Sequence, residues 1–330
     1  MTATPTLPCY QLSEREVVHI QARLADRWHS DRLWAMTHRL PKQLHEYLYD
    51  TAHDARAGAL VVRGFPVDDV EIGPTPTDWR DAVGRTSTTI HERFLLTLAS
   101  ALGAVFSFPA LQEGRLVQDL LPMPGHEETK SGNSSRSLLD LHTEDAFSAH
   151  RCDYLGLMCL RNIDLVPTSY AEPDLERIPE ELVDVLFQRR FTIRADDTHN
   201  HQGGLDPIAL LWGDRNRPFL RIDDHFTDPL PGDEPARAAL EALVAALYSA
   251  EQDITLRPGE VAFIDNHLAA HGRRPFTARY DGTDRWIKRV SITRSAACRG
   301  AALGAKRPWA QHPTVVDSAL VAGSTRTFAP

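Results

Sequence analysis

The feature that most constrains this chain is a His-x-Glu pair, His142 and Glu144, set against a distant His271. Side chains alternate between the faces of a β-strand, so on a strand His142 and Glu144 project one way while Thr143 and Asp145 project the other. That spacing favours Glu144 over Asp145 as the carboxylate partner of His142. His271 comes after Glu260-Val261-Ala262-Phe263-Ile264, an apolar run that reads as a strand. An antiparallel sheet lays strands from distant parts of a sequence side by side, so such a sheet can unite the three side chains. Two imidazoles and one carboxylate can hold Fe(II) on one face and leave the opposite positions open, the arrangement used by non-haem oxygenases. The expectation is a chain that oxidises something, with His142, Glu144 and His271 as metal ligands.

Among 15 histidines a single His-x-Glu is common on a surface strand, and the cations beyond His271 are what give this one weight. An arginine, Arg285, lies 14 residues beyond His271. By the same alternation Arg285, Ile287 and Arg289 share a face, with Trp286 and Lys288 opposite. Two cations directed into one space imply bound anionic groups. The net charge of -9 and the absence of a Lys/Arg block argue against nucleic acid or an anionic membrane and for a small polar substrate. Met1 to Ser13 lacks a basic segment followed by an apolar one, and no later run reaches the roughly 20 apolar residues of a membrane span. A soluble, cytoplasmic protein is expected. Cys9, Cys152, Cys159 and Cys298 form neither a CxxC nor a framework spacing, so a reducing compartment is expected and a zinc ribbon is not. Nothing in the sequence specifies an oligomeric state.

The pattern of elements predicts an α+β chain with a double-stranded β-helix (jelly-roll) core and flanking helices. A single catalytic domain over 1–330 is expected: a helical N-terminal extension (1–57), the core (58–294) and a C-terminal extension (295–330) without clear periodicity. Val17, Ile20, Leu24 and Trp28 recur at helical intervals over 14–28, and Leu33, Met36 and Leu40 continue the period until Pro41. Ala59-Leu60-Val61-Val62 between Gly58 and Gly64 reads as a buried strand, and 88–102 as a helix capped by Gly103. Strand signals lie at 116–117, 155–160, 191–194, 209–212 and 219–222, and the Ala- and Leu-rich 236–249 reads as a helix. The Pro-, Gly- and Ser-containing segment 122–137 precedes the His142 strand, as an active-site lid would.

Leu141-His142-Thr143-Glu144-Asp145-Ala146-Phe147, Asp153 to Asn162, and His271 through Arg289 resemble the clavaminate synthase-like branch of the Fe(II)/2-oxoglutarate oxygenases. The likeness extends upstream to Gly114-Arg115-Leu116-Val117-Gln118-Asp119 and covers most of the chain from about Leu60 to Arg294. It implies Fe(II) with 2-oxoglutarate and O2 as co-substrates, decarboxylation to succinate and CO2, and hydroxylation of a nearby C–H bond. It places Arg285 against the far carboxylate of 2-oxoglutarate with Thr168 beside it, and Arg289 on a substrate α-carboxylate. The non-ligating oxygen of Glu144 would then meet the α-ammonium. Asp223, in Arg221-Ile222-Asp223-Asp224-His225, falls where an acid contacts the polar end of the substrate. His225 stands where some arginine hydroxylases carry a second acid, which lets a neutral side-chain terminus compete with a cationic one. Gln112 is the nearest chemical match to a further polar substrate contact, with Leu111 beside it. The expected substrate is a free L-amino acid of antibiotic biosynthesis, arginine- or citrulline-like before lysine- or asparagine-like, hydroxylated at C3 or C4. Desaturation or ring chemistry, or a non-enzymatic metal-binding jelly roll, are the alternatives. A halogenase is disfavoured because halide needs the position that Glu144 would fill.

Overall fold

Strands buried on both faces organise the chain. The computed structural model describes residues 7–26, 28, 33–53, 58–108, 111–195 and 206–294, with the backbone of 314–315. The N-terminal part carries β1 (Cys9–Gln11), α1 (Glu14–Ala25), α2 (Leu33–Met36) and α3 (Lys42–His53). β2 (Ala59–Arg63), α4 (Asp69–Ile72), α5 (Thr89–Leu102), β3 (Ala104–Ser107) and β4 (Gln118–Leu120) lead to β5 (Leu139–His142) and the long β6 (Tyr154–Arg161). β7 (Thr168–Ala171) and α6 (Glu180–Leu186) precede four short strands, β8 (Phe191–Ile193), β9 (Leu211–Trp212), β10 (Phe219–Leu220) and β11 (Thr227–Pro229). α7 (Glu234–Ser249), β12 (Gln252–Ile254), β13 (Val261–Asp265), β14 (Ala270–Arg273), β15 (Trp286–Thr293) and β16 (Thr314–Val315) complete the order.

The larger sheet runs β1-β2-β13-β6-β15-β3-β16, with β4 also paired to β15, and the smaller one runs β12-β7-β14-β5. Alternation along each central strand explains why both faces of the larger sheet are dry. Leu60, Val62, Met158, Phe263, Val290 and Ile292 face the helices, joining Leu44, Leu48, Phe94 and Leu98 in one core. Their neighbours Val61, Leu155, Leu157, Ala262, Ile264 and Ile287 face inward onto Tyr170 and Ile254 of the smaller sheet. α6 and α7 cover the smaller sheet's side of the molecule through a third cluster that includes Leu186, Leu243 and Leu247. This is the expected jelly roll of facing, mostly antiparallel sheets with flanking helices.

Several expectations about elements change. The N-terminal stretch is more than an appended helical extension, because β1 pairs in parallel with β2 and forms the edge of the larger sheet. Pro41 ends one helical run, as the sequence predicts, yet α3 begins at the next residue and packs on α5. The strand expected at 116–117 lies at Gln118–Leu120, and β3, β7 and β12 form where no strand is expected. These three are short: β7 has Thr and Ser at half its positions, β12 has one apolar residue, and the four residues of β3 are too few to show a period. Gly103 does close α5, and a Cβ there would sit 2.6 Å from the Thr293 carbonyl oxygen. β16 in the C-terminal extension pairs in parallel with β3. The rest of that extension, with Cys298, lies outside the described residues. No helix among the described residues is long and apolar enough to cross a membrane.

β15 carries cations on both faces, as its alternation predicts. On the helix side the fully buried Lys288 ammonium sits 2.7 Å from Glu92 Oε1 and 2.6 Å from Asp119 Oδ1. Asp119 also accepts from Trp286 Nε1 and Arg115 Nη1. Removing one partner of such a buried network strands the opposite charges in a low-dielectric interior. Lys288→Ala is therefore expected to cost about 3–5 kcal/mol of stability in urea denaturation. Lys42→Ala, which breaks an exposed pair with Glu46, should change stability by less than about 0.5 kcal/mol.

Candidate active site

The register of the smaller sheet brings the distant histidines together. β14 pairs antiparallel with β5 so that His271 lies opposite His142, and their ring centroids are 4.3 Å apart. The backbones approach closely there: a Cβ on Gly272 would lie 2.5 Å from the Leu139 carbonyl oxygen. Glycine is the residue that fits. The strand expected to run through Glu144 instead stops at His142. Thr143 N donates to the Ile222 carbonyl and Asp145 takes φ +51°, so Glu144 starts a turn. It nevertheless returns to the side of His142 because Asn266 clasps its backbone. Glu144 N donates to Asn266 Oδ1 at 2.6 Å, and Asn266 Nδ2 donates to the Glu144 and Cys152 carbonyls at 3.0 and 2.9 Å.

The donor atoms of His142, Glu144 and His271 all lie within 4.8 Å of one another. Glu144 Oε2 is 3.9 Å from His142 Nε2 and 3.4 Å from His271 Nε2. His142 Nδ1 lies 2.8 Å from the Asp140 carbonyl, an acceptor that keeps the proton on Nδ1 and leaves the Nε2 lone pair facing the cluster. Two imidazoles and a carboxylate on one wall of a cavity suit a divalent iron with open positions. Burial alone would raise the Glu144 carboxyl pKa, but the Arg289 guanidinium and the hydrogen bond from His271 outweigh it and hold the group well below the usual range. Burial and the neighbouring His142 push His271 down to about 4.

The cavity, about 390 Å³, has the size of a small-molecule site. Its walls include all three side chains together with Thr168, Asp223, Arg285, Arg289 and residues 130–133 of the segment expected as a lid. Arg285 immediately precedes β15 and is nine-tenths buried; Nη2 donates to Thr168 Oγ1 at 3.3 Å and Nε has no partner. No carboxylate pairs with it among the described residues, and burial lowers its pKa to about 10. A buried guanidinium without a counter-charge is costly unless an anion joins it, so this corner fits a carboxylate ligand. Arg289 is already engaged: Nη1 donates to Glu144 Oε1 at 2.6 Å, and Nε and Nη2 donate to Gln118 Oε1 at 2.8 and 2.5 Å.

Asp223 stands beside His142 through an isolated antiparallel bridge. Its Oδ1 accepts from the backbone N–H groups of His225 and Phe226, and burial raises its pKa. His225 is exposed and does not line the cavity, so the position expected to replace a second acid lies away from it. Gln112 lines the cavity at φ +45°, but both ends of its amide are held by the Asp119 backbone, at 2.8 and 2.9 Å. Two further residues support the site without having been expected to. Gln118 stands in the Gly114–Asp119 motif; its Nε2 donates to Ser107 Oγ, which turns its oxygen toward Arg289. Asn266 comes directly after an apolar strand, and a polar side chain at that place is a readable signal.

The chain is similar to known proteins over most of its length. Residues 172–291 match the family model "Taurine catabolism dioxygenase TauD, TfdA family", a span that contains His271, Arg285 and Arg289. An "Enduracididine beta-hydroxylase" of Streptomyces hygroscopicus is 37% identical over 281 residues, covering 77% of this chain and 82% of the relative. An "L-ornithine/L-arginine 3-hydroxylase" of Catenulispora acidiphila is 36% identical over 301 residues, covering 83% and 85%. The crystal structure of the non-haem iron oxygenase OrfP in complex with Fe and α-ketoglutaric acid superposes with a TM-score of 0.86 at 36% identity, covering 94% of this chain and 100% of that one.

His271 is held neutral when folded, while its unfolded-state value is near 6.5, so below that pH the unfolded chain binds more protons. Stability of the metal-free protein should accordingly fall by roughly 3 kcal/mol between pH 6.5 and 4 from this group. Glu144, depressed when folded, adds its own loss only below its ordinary range. Buried His91 shifts in the same direction as His271, so the comparison needed is urea denaturation of the parent chain against His271→Asn, which should show the shallower pH dependence. The coverage and identity of these relatives place the chain in the clavaminate synthase-like family of iron(II)- and 2-oxoglutarate-dependent oxygenases.

Proposed function

We propose that this chain hydroxylates a free polar or basic L-amino acid at C3 or C4, with arginine- and citrulline-like substrates ahead of lysine- and asparagine-like ones. The observation that carries the reading is the pairing, in one cavity, of the His142, Glu144 and His271 donors with the buried, uncompensated Arg285. Similarity to proteins named for enduracididine and for ornithine and arginine hydroxylation supports the substrate class.

His142 Nε2, His271 Nε2 and Glu144 Oε2 would hold the iron, and Arg285 with Thr168 would receive the far carboxylate of 2-oxoglutarate. Iron(II) with 2-oxoglutarate and O2 supplies the oxidant that replaces a substrate C–H by C–OH as the co-substrate leaves as succinate and CO2. The protein's part is positioning, since the carbon held nearest that oxidant is the one that reacts. Glu144 divides its two oxygens, with Oε2 toward the histidines and Oε1 on Arg289. A substrate α-carboxylate on Arg289 and an α-ammonium against Glu144 Oε1 would replace that direct pair and keep every charge matched. Gln118, which already accepts from Arg289 twice, steadies the guanidinium during the exchange. Asp223 keeps Oδ2 without a partner among the described residues, and this oxygen can accept from a guanidinium, urea or amide at the far end of the substrate. Gln112 can contribute to the cavity wall, but its amide is spent on Asp119.

Replacing His142, Glu144 or His271 by Ala is expected to abolish amino-acid-dependent succinate formation, and a variant with full iron-dependent turnover would overturn the ligand assignment. Asn266→Ala should leave turnover possible but weaken Fe(II) binding by about tenfold to a hundredfold in metal titrations, because it frees the backbone of a ligand.

The substrate class is tested on a panel of free amino acids read by succinate formation. Asp223→Asn removes a charge but keeps an acceptor, so kcat/KM should drop far more for a cationic substrate such as arginine than for citrulline. Best turnover of apolar amino acids, or no effect of the substitution, would refute this role for Asp223.

A further inference from the structure

We propose that Arg273 is a second cation of the co-substrate pocket, offering its Nε–H to the carboxylate that Arg285 receives and linking that event to the 134–137 segment. The inference rests on the co-substrate reading above and deepens it. Arg273 stands two residues after His271 on β14, so both side chains leave the same face, and both line the cavity. In the pairing of β14 with β7 it lies opposite Thr168, the residue whose hydroxyl already accepts from Arg285. Cross-strand neighbours on one face adjoin, so Arg273 springs from the strand position beside the threonine that Arg285 donates to.

The hydrogen bonds of Arg273 have an unusual composition. Nη1 donates to the carbonyls of Ser135 and Arg274 at 3.1 and 3.2 Å, and Nη2 donates to Ser134 Oγ and the Ser137 carbonyl at 2.7 and 3.3 Å. Every acceptor is neutral. Arg273 is 3% exposed, no carboxylate pairs with it among the described residues, and its Nε is buried without a partner. Those acceptors occupy the Nη protons and the Phe276 ring lies 5.1 Å from Cζ, but none of these partners carries a counter-charge. Two buried guanidinium groups lining one cavity, each with an idle Nε, instead describe a site whose charge is offset when an anion enters. Because the other arm of Arg273 grips residues 134–137, and residues 130–133 line the cavity, an anion at Nε would stiffen the wall on that side.

The test is calorimetric titration of the Mn(II)-loaded protein, without O2, using 2-oxoglutarate and using pyruvate, a 2-oxo acid without the far carboxylate. Arg273→Gln should weaken 2-oxoglutarate by about tenfold to a hundredfold and leave pyruvate unchanged, with Arg273→Lys in between. Equal losses for both ligands, or no loss for either, would mean that Arg273 is only a structural clasp. Should the Gln variant not fold, the parent protein decides: 2-oxoglutarate, and not pyruvate, should slow amide hydrogen exchange over 134–137, and identical exchange with both overturns the inference. A parent protein that binds no 2-oxoglutarate would overturn the functional reading itself, whereas normal parent binding with an unaltered Gln variant overturns the Arg273 role alone.

Discussion

The pairing of β14 against β5 is the constraint on which the site depends. It sets His271 opposite His142, and the glycine next to His271 lets the two backbones come close enough for their imidazoles to share a space. Glu144 contributes no strand to that pairing. Its position is secured by Asn266, at the end of β13 in the other sheet, so the three donors are fixed by contacts from both layers of the jelly roll. A site built this way is preorganised by the same hydrogen bonds that hold the sheets together.

Charge is distributed along β15 according to which face each cation occupies. Lys288 points to the helices and finds two carboxylates, whereas Arg285 and Arg289 point into the cavity. Arg289 is satisfied by Glu144 and Gln118, and Arg285 is left with one hydroxyl. Buried charge is tolerated where it is paired, so the corner around Arg285, which has no counter-charge among the described residues, suits an anionic ligand. The burial that makes Arg285 costly on its own also strengthens any carboxylate bond it forms.

The part of the cavity around Asp223 is built from loops rather than from the sheets. Asp223 lies beyond β10 in a turn that spends one of its oxygens on backbone N–H groups, and the 130–133 wall belongs to a segment tied down by Lys130 and Arg273. Such segments can vary without disturbing the frame that holds His142, Glu144 and His271, which fits a family whose members are named for different amino acids.

The sequence by itself determined the chemistry and the strand pattern. The opposed faces of Lys288 and Arg289 were legible because the period of two depends only on local backbone geometry, whereas His142, Glu144 and His271 were legible by residue type, since Glu144 does not follow the strand. The long central strands and α5 and α7 were legible because each buries many apolar side chains in one register. β3, β7 and β12 were not, since all three are short and β7 and β12 carry few apolar residues, and their pairing comes from neighbours already in place. Tertiary structure alone decided that Glu144 leaves the strand yet stays with His142, that Gln112 is consumed by Asp119, and that Gln118 and Asn266 hold the working residues. Each of those outcomes depends on which hydrogen-bond partner a polar side chain meets across the fold, and that choice is made by residues far away in the sequence.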